Sequence, residues 1–119
     1  MIKYNIIESQ RKVIAKIDNC ENDAYNVISK SLKGKLELFK SESIKLPSYF
    51  TAVAKCHPED EFDAEVGKEL AKKRVIEKYN DAMANILLDF GNLLSDCVYN
   101  LGNSIDKYID EDIKTLFGE

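Results

Sequence analysis

The chain holds one histidine, His57, and only three cysteines, Cys20, Cys56 and Cys97, at wide and irregular spacing. An odd number of scattered cysteines makes no disulfide framework and fits reduced, partly buried thiols in a reducing compartment. No C-x-x-C or H-x-x-x-H spacing occurs, which argues against a zinc site. Adjacent side chains diverge, so Cys56 and His57 are poorly arranged as nucleophile and base. Phosphate loops, nucleophile elbows and HExxH patterns are missing too. No apolar run approaches the roughly 20 residues that cross a bilayer, and no charged start with an apolar core and cleavage site is seen. The expectation is a cytoplasmic protein that needs no membrane, metal or cofactor and is not an enzyme.

What is present is 119 residues, 45% hydrophobic and 32% charged, enough for one core and an appendage. The net charge of −4 is unevenly spread. Residues 1–45 carry nine Lys/Arg against six Asp/Glu, and residues 68–78 carry five against two. Residues 46–67 carry one against five and residues 79–119 two against eight, so the C-terminal part is the acidic end.

Lys3–Ile7 and Lys12–Ile17 read as two strands around the polar break Glu8, Ser9, Gln10 and Arg11, a hairpin. Asn22–Lys33 spaces Ala24, Val27, Ile28 and Leu32 as one helical face, with Asn22 as N-cap and Gly34 as stop. Leu36, Leu38 and Phe39, then Tyr49, Phe50, Ala52, Val53 and Ala54, give two further strands across a polar loop ending at Pro47. The fold class expected is α+β: a small antiparallel sheet in the order ββαββ, a long C-terminal amphipathic helix and a short terminal helix. Asp63 is the expected N-cap of the long helix, and Cys56 and His57 are expected to end a strand and order the turn into it. We place an α+β domain at 1–78 and a helical interaction segment at 79–119.

Tyr79, Met83, Ile86, Phe90, Leu93 and Cys97 are spaced four, three, four, three and four apart, the heptad seam of a coiled coil. A helix from Asp63 to Asn100 would run about 57 Å, whereas a compact chain of this length is about 35 Å across. The seam therefore needs a cover, which another copy of the chain, the last helix folded back or a target would supply; another copy, a dimer first, is the leading choice over a folded-back tail. Leu101 falls four residues on where three were due, beside Asn100, Gly102 and Asn103, so a break is expected there, with Ser104–Phe117 as the last helix.

Two charged sets invite functional readings. Lys68, Lys72, Lys73, Arg74 and Lys78 form a basic stripe that would hold a phosphate or other anion, against the plainer reading of a solvated helix face. Asp89, Asp96, Asp106, Asp110, Glu111 and Asp112, with Asp81, would imitate a phosphate array toward a nucleic-acid-binding protein, against the plainer reading of solubility. The acidic run Glu59–Glu65 lacks the alternating ligands and glycine of a calcium loop and suits helix capping instead.

The run Val53-Ala54-Lys55-Cys56-His57-Pro58-Glu59-Asp60-Glu61-Phe62-Asp63, followed by Gly67, Leu70, Ala71 and Arg74, resembles a strand-to-helix segment of small phage and prophage proteins of Gram-positive bacteria. The resemblance covers Thr51–Arg74 and implies a sheet-and-helix module like double-stranded-RNA-binding folds. There Gly67 would let helix approach sheet, Phe62 would pack under the turn and Asp63 would cap. The insert Cys20–Pro47 departs from the usual short hairpin. The resemblance further implies a bacterial host cytoplasm and a stoichiometric antagonist of bacterial defence, similar to anti-CRISPR proteins, whose partner is a defence effector. The alternative is a protein resembling phage sponges that sequester cyclic nucleotides, using Lys68–Lys78. Direct nucleic-acid binding is opposed by the acidic tail.

Overall fold

The computed structural model describes residues 1–32 and 44–117. They form an α+β protein: strand β1 (Ile2–Ile7), strand β2 (Lys12–Asp18), helix α1 (Asp23–Ser31), strand β3 (Tyr49–Lys55) and helix α2 (Ala64–Phe117). The sheet is antiparallel in the order β1-β2-β3, with Val13 paired to Ile6 on one side and Ala54 on the other. The three described strands do not complete the expected ββαββ order, and the candidate at Leu36, Leu38 and Phe39 lies outside the described residues. The hairpin turns through a 3-10 segment, Glu8–Gln10, and then Arg11 in the left-handed region at φ 51°.

Period-two alternation decides which face is covered. Val13 and Ala15 of β2 and Ala52 and Ala54 of β3 are buried together with Ala71 and Val75 of α2. Alanine at three of the four sheet positions lets the helix axis come close. Gly67 extends that approach: a Cβ there would lie 2.6 Å from Cγ2 of Val13, so only glycine fits without movement. Phe62 packs against the same core, as its place under the turn implied.

The start of α2 is fixed as its sequence indicates. Oδ1 of Asp63 accepts the amides of Glu65 (3.0 Å) and Val66 (3.4 Å). Asn22, by contrast, stands at the N-cap position of α1 without a side-chain capping bond. A second group of buried residues, Cys20, Ala24, Ile28, Ile44 and Leu46, was only partly visible in the sequence, where residues 44–46 read as polar loop. The Cys20 amide donates to the Ser48 carbonyl and the Leu46 amide to that of Glu21, which fastens this segment beside α1. Burial and the nearby carboxylates of Asp23, Glu21 and Asp18 push the Cys20 thiol up, away from the reactive thiolate.

Two of the expectations for α2 need correction. There is no break at Leu101–Asn103 and no separate short terminal helix: α2 continues through both to Phe117, 54 residues in all. The reason lies in the apolar spacing, described below. The chain divides into two compact units, Met1–Leu87 and Leu88–Glu119, with the division inside α2.

Candidate interaction surface

The second unit presents a long run of exposed apolar side chains. Val98 is 70% exposed, Leu101 60%, Ile105 50% and Ile109 51%, and Leu93, Tyr108 and Ile113 are exposed as well. Phe90 is the buried residue of this unit, and Leu94 is half-buried. The spacing Phe90, Leu94, Val98, Leu101, Ile105, Ile109, Asp112 and Leu116 runs four, four, three, four, four, three, four. That is an 11-residue repeat, about 3.67 residues per turn, close to the natural period of an α-helix. The four-residue step into Leu101 is therefore a stutter that lets the stripe continue along one face, and the helix has no cause to stop. Gly102 meets no side chain within 4 Å and leaves the backbone open at the middle of the stripe.

The expected seam is divided between the units. Tyr79, Met83 and Ile86 belong to the first and are half-buried; Phe90, Leu93 and Cys97 belong to the second, and Leu93 and Cys97 are exposed. Cys97 is thus more accessible than the partly buried thiol expected for it. Tyr79 is already engaged inside its own unit: its hydroxyl donates to Oδ2 of Asp23 at 2.7 Å and its ring meets Phe50 edge to face at 5.7 Å. Burial, then the hydrogen bond to Asp23, pushes its phenol up to about 12 from 10. A raised folded-state pKa means that this stabilisation is complete below pH 10 and lost as pH climbs through about 12. Tyr79→Phe should lose about 1–2 kcal/mol of stability at neutral pH. It should also flatten the fall in stability across that alkaline window, as read by urea unfolding at several pH values; an unchanged slope would remove Tyr79 as its source.

The basic stripe has a structural task at two of its five positions. Arg74 donates to the Val53 carbonyl and Lys78 to the Thr51 carbonyl, both at 2.8 Å. Among the described residues β3 is an edge strand and these carbonyls face away from β2, so the two cations blunt that edge. Lys68 is paired with Glu65 at 3.5 Å and lies over the Tyr4 ring, while Lys72 and Lys73 are exposed. The acidic candidates Asp89, Asp96, Asp106, Asp110, Glu111 and Asp112 are all exposed on the second unit.

The first unit also holds a pocket of about 360 Å³ where β3 leads into α2, with Ala54, Phe62, Val66 and Leu70 as apolar walls and Cys56 and Asp63 at the rim. Arg11 organises its loop. Its guanidinium donates to the carbonyls of Pro58 (3.1 Å), His57 (3.3 Å) and Asp60 and contacts Sγ of Cys56 at 3.4 Å. His57 accepts the Glu59 amide through Nδ1 at 3.2 Å, which ties the ring to the turn. The roles expected of Cys56 and His57 as strand end and turn former match this geometry. Arg11 went unnoticed in the sequence because its partners are backbone carbonyls about 47 residues away, which leave no side-chain pattern.

Among the described residues no group of three or more His, Cys, Asp or Glu is placed to hold a metal, and no helix is long and apolar enough to cross a membrane. No protein-family model matches the chain, and neither a curated protein nor a solved structure matches it.

Proposed function

We propose that the chain is a non-catalytic binding protein, whose first unit is a scaffold and whose second unit is the working surface. The exposed apolar stripe of residues 88–117 carries this reading, because a monomer seldom leaves so long a stripe uncovered. In this reading the stripe joins helices, and the exposed acids Asp106, Asp110, Glu111 and Asp112 are offered to a basic protein surface. The likeness of Thr51–Arg74 to a phage module gives the partner class: a nucleic-acid-handling effector of bacterial defence, blocked stoichiometrically in the host cytoplasm. The test is binding and inhibition with purified effectors at graded salt. Neutralising the four acids to Asn and Gln should abolish inhibition while the helical content stays unchanged, and a protein that binds none of its host's effectors overturns the reading.

The sponge alternative rests on a cationic stripe of which Lys72 and Lys73 are exposed and unpaired among the described residues, while Arg74 and Lys78 hold carbonyls. Thermal stabilisation by cyclic nucleotides, lost on Lys72→Glu, would favour it instead.

A further inference from the structure

Within the reading of the stripe as an association surface, we infer that its occupant is a second copy of this chain, paired antiparallel about Leu101 and Gly102. The stripe is self-complementary when reversed. Setting Leu101 opposite the partner's Gly102 places Val98 opposite the partner's Ile105, and Leu94 opposite the partner's Ile109. Each match occurs twice by symmetry. Gly102, with nothing within 4 Å of its missing side chain, leaves the room that Leu101 of the other copy fills at the crossing. Phe90, already buried, is not required.

Charge decides the direction. Asp112 occupies the stripe position that Phe90 and Leu101 hold in the earlier repeats. A parallel, in-register pair would set Asp112 against the partner's Asp112 in the apolar seam. It would also stack residues 106–112, with four acids and the single Lys107, against the same acids. The antiparallel register puts Asp112 opposite the partner's Gly91, which has nothing within 4 Å, and puts the acidic stretch opposite 91–97, where Asp96 is the one charge. A shift of one helical turn in the other direction would bring Asp112 opposite the partner's Leu87 and is disfavoured by burying that charge. The 11-residue period predicts a gentle right-handed winding of the two helices rather than the left-handed winding of a heptad pair.

The experiment uses the full chain with Cys97→Ser and, separately, Val98→Cys or Ile105→Cys. Under mild oxidation neither variant alone should link to itself across the seam, whereas an equimolar mixture should give a covalent dimer whose peptide map joins 98 to 105. Sedimentation equilibrium of the unsubstituted chain should give twice the monomer mass. Self-linkage of each single variant, or an unlinked mixture from a dimeric protein, overturns the register. A monomer at every concentration overturns the second copy as occupant. An effector that still binds such a monomer leaves the proposed function standing, while a linked dimer that binds no effector fails that function and keeps this pairing.

Discussion

Replacing Gly67 with alanine is expected to destabilise the protein by about 1–2 kcal/mol, although the same change at an open helical position stabilises by up to about 1 kcal/mol. The new methyl would meet Cγ2 of Val13 at 2.6 Å and its Cβ at 3.4 Å. Val13 is fully buried in the middle strand and β-branched, so its χ1 is restricted and it has little room to retreat. The helix must then lift from the sheet, which loosens Ala71 and Val75 as well. Gly91→Ala is the control. Nothing lies within 4 Å of that position, so this variant should gain the helix-propensity benefit with no penalty. A cycle with Val13→Ala completes the test. The single Val13→Ala change opens a cavity and destabilises, but in the Gly67→Ala background it should be far less harmful, because the two methyl groups contend for one space. Additive effects in urea denaturation would show that helix and sheet do not touch there.

Arg11→Ala is expected to remove about 2 kcal/mol and to make the Cys56–Asp60 turn susceptible to proteolysis. One cation holds three backbone carbonyls of this turn, those of His57, Pro58 and Asp60, and no lysine can reproduce that planar fork. Arg11 also sits at φ 51°, where a side chain other than glycine's is strained by about 1 kcal/mol. Arg11→Gly should accordingly be about 1 kcal/mol more stable than Arg11→Ala while showing the same proteolysis at the turn. If Arg11→Ala is as stable and protease-resistant as the parent, the guanidinium does not hold the loop.

The sequence was most informative where local chemistry acts alone. Alternation marked β1, β2 and β3, and Asp63 marked the start of α2 because a cap needs only its own first turn. The long helix was legible too, but not its continuation past Leu101. Asn100, Gly102 and Asn103 are weak helix formers, and a heptad template turned a four-residue step into a break. In a helix already propagating, adding residues is easy, and an 11-residue register absorbs the step without distortion.

Long-range geometry decided the rest. Ile44 and Leu46 are buried in a segment that backbone hydrogen bonds tie to Cys20 and Glu21, more than 20 residues earlier, a link that their neighbours in sequence do not reveal. The sequence leaves the basic stripe open between an anion site and a solvated helix face, because it cannot show that the carbonyls of Val53 and Thr51 lie within reach of Arg74 and Lys78. Tyr79 likewise fits a seam by spacing, yet Asp23, 56 positions earlier, claims its hydroxyl. By itself the sequence determined an α+β chain and a long amphipathic C-terminal helix, since composition and periodicity are local properties. Only the tertiary structure decided which glycine is locked against the sheet, which cations are already used, and which part of the stripe is left open, since each depends on residues brought together from distant parts of the chain.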